Sequence, residues 1–90
     1  MAEITVTHIG ATTFQVDVRE GAMRTIHHVT ATPADVQHYG GGESAERLIK
    51  ASFEFLLERE PKESILSAFA LPAIERYFPE YPKEIRKRLT

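Results

Sequence analysis

The chain has no cysteine and no tryptophan. Without thiols it can form neither a disulfide nor a thiolate zinc site, so no such staple holds its core. It has no run approaching the roughly 18 apolar residues that a membrane-spanning helix needs. It also lacks an excess of one charge: 11 Lys and Arg against 13 Asp and Glu leave a net charge of −2. That balance argues against a dedicated nucleic-acid binder, which normally presents a basic surface. The opening MAEITVTHIG has neither the basic segment nor the apolar stretch of a secretory signal. Together with the missing cysteines, this leads us to expect a cytoplasmic protein with no membrane partner.

What is present is an ordinary globular composition, 42% apolar and 27% charged. There is enough Leu, Ile, Val and Phe to offset the entropy of ordering the chain, which excludes global disorder. Ninety residues make one domain, 1–90. A domain this small buries only about two thirds of its unfolded surface, so self-association is an expected way to gain burial.

Residues 1–32 alternate with period two. Ile4, Val6 and His8 share one face against Thr5 and Thr7, and Phe14, Val16 and Val18 share one against Gln15, Asp17 and Arg19. A third strand runs from about Met23 to Ala31. Such alternation with β-branched residues marks half-buried strands. Residues paired across strands point to the same face, so parity selects the register. A three-residue Gly10-Ala11-Thr12 loop pairs Val6 with Val16, Ile4 with Val18 and His8 with Phe14. A two-residue Gly21-Ala22 loop, of type II′ with its glycine at positive φ, pairs Val16 with His27 and Phe14 with Val29; a Glu20-Gly21 loop shifts the pairs but leaves the faces unchanged. Thr25, His27, Val29 and Ala31 then face inward, and Ile26 is an apolar misfit on the outer face.

The rest of the chain reads as helices punctuated by proline. Thr32-Pro33-Ala34-Asp35 carries a capping-box start for a short helix over 33–39, stopped by Gly40-Gly41-Gly42. A long amphipathic helix is predicted over 44–60, with Leu48, Ile49, Ser52, Phe53 and Leu56 inward. Short helices follow over 61–90: Lys62–Phe69, Pro72–Phe78 and a last one carrying Ile85 and Leu89. The expected fold is α+β: a three-stranded antiparallel β-meander, a short helix, one long amphipathic helix packed on the sheet, and proline-punctuated C-terminal helices.

No residue set commits this chain to a chemistry. His8 and His27 fall on the core face of neighbouring strands, but no carboxylate shares that face, so a metal site is not expected. Ser44, Ser52 and Ser64 have helix-cap or helix-face explanations, and Glu54 and Glu58 are surface charges, so no catalytic residue or cofactor is expected. The glycine run lacks the Lys-Ser/Thr of a phosphate-binding loop. The aromatic-proline knot Tyr77-Phe78-Pro79-Glu80-Tyr81-Pro82 is the best binding candidate, because tyrosines join a large apolar body to a polar tip. Ile26, Phe55 and Leu57 are apolar residues expected at a protein contact.

The helices predicted at Lys62–Phe69 and Pro72–Phe78, joined by a tight turn, have the scale of a helix-turn-helix. Residues 61–90 carry six Lys and Arg against four Asp and Glu, concentrated at Glu84-Ile85-Arg86-Lys87-Arg88. Arg86, Lys87 and Arg88, with Arg76, would carry any nucleic-acid contact. Cations at the carbonyl end of a helix also have an ordinary electrostatic explanation.

The stretch FEFLLEREPKESILSAFALPAIERYFPEYPKEI, densest from Phe53 to Ile85, resembles the C-terminal signature of a family of small bacterial proteins of unassigned activity. In that family a β-rich start with a Thr-His-x-Val-Thr-like strand, here Ile26-His27-His28-Val29-Thr30, precedes the same helical ending. The resemblance covers most of the chain and implies a shared fold; it brings no activity to any residue. Three strands followed by helices are also similar, in topology only, to HicB-like antitoxins. The expected function is therefore a non-catalytic protein-interaction or accessory domain, acting on a protein partner or by forming a homodimer. The alternative is a regulatory nucleic-acid binder of antitoxin-like or helix-turn-helix type.

Overall fold

The computed structural model describes residues 2–90. Met1, the first residue of the expected 1–32 meander, lies outside the described residues. Three strands form as their alternation dictates: β1 (Glu3–His8), β2 (Thr13–Glu20) and β3 (Met23–Thr30). The register is the one that parity selects. Val6 faces Val16, Ile4 faces Val18 and His8 faces Phe14. Across the second hairpin Val16 faces His27 and Phe14 faces Val29. Gly21 takes φ of 60° while, among the described residues, no non-glycine residue has positive φ, the pattern of a type II′ turn. Phe14, Val16, Val18, His27 and Val29 are buried, whereas Arg24, Ile26, His28 and Thr30 face solvent.

The sheet has a fourth strand, which corrects the three-stranded meander. β4 (Ala68–Ala70) lies beside β3 and parallel to it, giving a mixed sheet of order β1-β2-β3-β4. The helix predicted over Lys62–Phe69 does not form. Its place is taken by a 3₁₀ turn at Lys62–Ser64 and then extended chain. The physical reason lies in β3. Every second peptide group of β3 bonds to β2, and those between point to the opposite edge. On that edge the His28 N–H donates to the Ser67 carbonyl (2.8 Å), and the Leu71 N–H donates to the Thr30 carbonyl (2.9 Å). Pairing an open sheet edge outweighs the local helix preference of PKESILSAFAL, which is worth only tenths of a kcal/mol per residue. Lys62 anchors the turn that precedes β4. Its stem is covered, and its ammonium reaches Glu20 (3.1 Å) and Glu63 (2.8 Å).

The helices are α1 (Pro33–Gly40), α2 (Ala45–Leu57), α3 (Ala73–Tyr77) and α4 (Tyr81–Leu89). α1 carries its capping box in full: the Asp35 N–H donates to Thr32 Oγ1, and the Thr32 N–H donates to the Asp35 carboxylate. Gly41 then stops the helix at φ 58°. α2 is shorter than the expected 44–60 helix and has one broad buried face. Leu48, Ile49, Ser52, Phe53 and Leu56 lie on it, and Ala51 and Phe55 widen it. Phe53 reaches the sheet side, with its ring 5.3 Å from His27 and 6.1 Å from Phe69. Phe55 meets the C-terminal helices, 5.9 Å from Phe78 and 5.4 Å from Tyr81. α4 closes that side with Tyr81, Ile85 and Leu89, spaced one helical turn apart.

Two buried phenols stitch these layers together. Ser52 Oγ donates to the Leu48 carbonyl, so the Tyr81 hydroxyl, 2.7 Å away, donates to Ser52. The Tyr39 hydroxyl donates to Glu75 at 2.8 Å and links α1 to α3. Burial, then the Glu75 hydrogen bond and charge, pushes the Tyr39 phenol up to about 12. Burial also raises Tyr81. The sign of the linkage follows. Below pH 10, tyrosines are neutral in both folded and unfolded chains, and stability is intact. Above it, unfolding releases protons that the folded protein retains, so stability falls as pH climbs from about 10 through 12. Chemical denaturation at pH 8 and pH 11 is expected to show a lower midpoint at pH 11, with a smaller drop in Tyr39→Phe. A Tyr39→Phe variant with the same alkaline drop as the parent would refute the assignment.

Candidate functional site

Where α2 ends, the chain turns under the open edge of the sheet and leaves a groove of about 140 Å³. Leu56 and Glu60 form its α2 side, Ser64, Ile65 and Leu66 one wall, and Phe69 of β4 the roof. Ala73, Ile74, Tyr77 and Phe78 of the α3 region complete it. Most of this lining is apolar. Leu66 and Tyr77, its two rims, stand 50% and 67% exposed. Exposed large apolar side chains scattered singly need no explanation, but two of them flanking an apolar depression in a small domain do.

The residues that sequence pattern nominates for a contact are divided by the fold. Tyr77 and Phe78 line the groove. Tyr81, by contrast, is fully buried, because its position on α4 points at α2 and its hydroxyl is held by Ser52. Phe55 is fully buried too, covered by Phe78, by Tyr81 and by the Arg59 guanidinium 3.7 Å above its ring. Neither can meet a partner, which corrects their assignment to the contact surface. Leu57 is half-buried on α2, away from the groove lining, and Ile26 lies on the outer face of the sheet, 41% exposed. Leu66, Glu60 and Phe69 are groove residues that the sequence pattern does not nominate; a helix over Lys62–Phe69 places Leu66, with Ile65 and Phe69, on its core face.

Of the four basic candidates, Arg86, Lys87 and Arg88 are engaged within the chain. Arg88 pairs with Glu58 at 2.6 Å, and this guanidinium holds the Glu58 carboxyl below the usual carboxylate range. Lys87 reaches Glu84 at 3.5 Å, and Arg86 donates to the His38 carbonyl at 3.1 Å. Arg76 is exposed on α3. The helix-turn-helix unit is also corrected: its first helix is a 3₁₀ turn followed by β4, so no two-helix reader exists there. A second depression of about 400 Å³ lies near Arg86, walled by Gln37, Gly41, Glu43 and Leu89. Its lining mixes polar side chains with glycine backbone and the buried Leu89 side chain, and its cation donates to the His38 carbonyl.

The histidines do not converge. His8 and His27 lie on the strands either side of β2, opposite Phe14 and Val16 respectively. The His8 ring stacks on Phe14 at 4.4 Å, and its Nε2 lies 3.2 Å from the Ala11 carbonyl. Both nitrogens of His27 are committed: Nδ1–H donates to the Leu66 carbonyl, and Nε2 accepts from the Thr25 hydroxyl, each at 2.8 Å. Its role is to tie the groove's rim to the sheet. Ser52 is sealed in the core, and among the described residues no three His, Asp or Glu side chains cluster.

No protein-family model, curated protein or solved structure matches this chain. Among the described residues no helix is long and apolar enough to cross a membrane. The groove is thus the feature whose shape and exposure ask for an occupant.

Proposed function

We propose that the chain is a small non-catalytic protein-interaction domain, which takes an apolar side chain of a partner protein into the groove between Leu66 and Tyr77. The observation that carries this reading is the pairing of those two exposed side chains around a groove of about 140 Å³. Sites for drug-sized ligands occupy roughly 300–1,000 Å³, so this one suits a single anchoring side chain better than a metabolite. Anchors of that kind, an apolar group in a pocket with an aromatic rim, dominate protein interfaces. A cytoplasmic bacterial setting belongs to the same reading, supported by the missing cysteines and by the resemblance of residues 53–85. The nucleic-acid alternative has less support, since Arg86, Lys87 and Arg88 already have partners within the chain.

The test is selection of a random peptide-display library on the immobilised protein. Enriched peptides are expected to bind the parent, and to bind Leu66→Glu at least about tenfold more weakly. That ratio follows from removing roughly 1.5–3 kcal/mol of apolar burial. Met23→Glu, at an exposed hairpin turn, should leave binding unchanged. Failure to enrich any peptide, or equal binding to parent and Leu66→Glu, would refute the proposal.

A further inference from the structure

We infer that the groove's occupant is an extended segment of a partner chain, which adds as a fifth strand to the free edge of β4, places one apolar side chain under Phe69 and carries a Lys or Arg toward Glu60. This rests on the reading of the groove as a protein site and names what enters it.

The backbone of β4 supplies the first argument. Its strand is three residues long and lies at the end of the sheet order. Ser67 and Leu71 use their main-chain groups toward β3. Strand alternation therefore turns the N–H and C=O of Ala68 and Ala70 outward, to solvent. Both residues are exposed, and neither carries a side chain beyond Cβ. Edges are normally protected by brevity, lysine, proline or a bulge, and β4 has only the first of these. This one presents Ala-Phe-Ala. A row of open donors and acceptors selects an occupant with a complementary row, which an extended peptide has and a helix lacks.

The groove supplies the second. Phe69 is the β4 side chain on the core side of the sheet, and it roofs the groove. A strand laid along β4 sends the side chain beside Phe69 to that same face, into the apolar space between Ile65, Leu66 and Tyr77. The backbone thus fixes direction while the groove reads one residue. Charge supplies the third argument. Glu60 lines the groove and, among the described residues, makes no ion pair, so a cation on the occupant finds a carboxylate waiting. A second copy of this chain fits less well, because a three-residue edge against its own counterpart falls far short of the roughly 1,200 Å² that stable dimers bury.

The experiment compares two peptide-display libraries of equal diversity on the intact protein. One alternates apolar residues with Thr and includes Lys; the other reorders the same residues to a helical repeat. Peptides are expected to enrich from the alternating library alone. With one bound, hydrogen exchange of the Ala68 and Ala70 amides should slow at least about tenfold. Ala70→Pro removes an outward N–H that β3 does not use, so it should keep the fold and weaken binding at least about tenfold. Glu60→Gln should weaken Lys-bearing peptides about two- to fivefold, an effect that high salt erases. Enrichment from the helical library, or binding that leaves Ala68 and Ala70 exchange unchanged, overturns strand addition and leaves the groove reading standing. No enrichment from either library overturns both. Slowed exchange at Ala68 and Ala70 without peptide, with a concentration-dependent doubling of mass, makes the occupant a second copy and overturns the inference. Should Ala70→Pro fail to fold, the exchange measurement decides alone.

Discussion

Phe53→Ala is expected to lose about 3–5 kcal/mol of stability, the cost of emptying a fully buried aromatic site whose walls relax only in part. Phe53 is buried from all sides, and its ring joins three parts of the fold: α2, His27 on β3 and Phe69 on β4. For a domain of this size each kcal/mol moves the thermal midpoint by roughly 4–8 °C, so a fall of about 12–40 °C should be seen. Domains are stable by only about 5–15 kcal/mol in total, which leaves the variant close to unfolding at ambient temperature. Urea denaturation followed by far-UV circular dichroism measures the loss, and Phe53→Leu, which leaves a smaller void, should lose much less. A loss under about 1 kcal/mol for the alanine variant would mean that α2 is not clamped to the sheet through this ring.

The parts of the fold that could be read from sequence are those whose signal is local. The period of two in Phe14-Val16-Val18, with a glycine turn at Gly21, determines both faces and register of the first three strands, because a one-residue slip would put the core side chains in water. The capping box at Thr32–Asp35 and the stripe of α2 are likewise written in neighbouring residues. β4 is different. Ile65, Leu66 and Phe69 have helical spacing, and what overrides it is the demand of His28 and Thr30 for hydrogen-bond partners across the sheet edge. That demand comes from residues about forty positions away. The one local hint was the alternation of Phe69 and Leu71 with Ala68 and Ala70, too short to outweigh the helix pattern.

The site divides along the same line. The aromatic-proline knot pointed to Tyr77 and Phe78, which do line the groove, and also to Tyr81, which does not. Aromatic content says that a residue will be buried against something, without saying whether its own chain or a partner provides the surface. The spacing Tyr81-Ile85-Leu89 was the signal that separates them, since it puts Tyr81 on the inward stripe of α4. Phe55 on α2 is placed in the same way, beside the inward stripe, where it meets Phe78 and Tyr81. Leu66 could not be assigned to the rim while its segment was read as a helix.

His27→Phe should separate the stability of β4 from that of the sheet. The substitution keeps a ring against Phe53 but removes the Nδ1–H that holds the Leu66 carbonyl and the Nε2 that accepts from Thr25. Leaving such groups without partners costs about 1–3 kcal/mol, toward the lower end where water can reach them. The larger effect should be local. β4 has one neighbouring strand and three residues, so the His27 tether beside the His28–Ser67 bond is a sizeable share of what holds it. Amides of Phe69 and Leu71, which donate toward β3, are expected to exchange at least about tenfold faster, while those of β2 change only as much as global stability falls. The rim residue Leu66 and the roof residue Phe69 then lose their fixed spacing, and affinity for any groove-binding peptide should fall with them. His27→Asn, which places an amide donor near the Nδ1 position, should recover part of the protection. Equal exchange of the β4 amides in the parent and in His27→Phe would show that the backbone pairing alone holds the edge, and that His27 has no part in keeping the groove open.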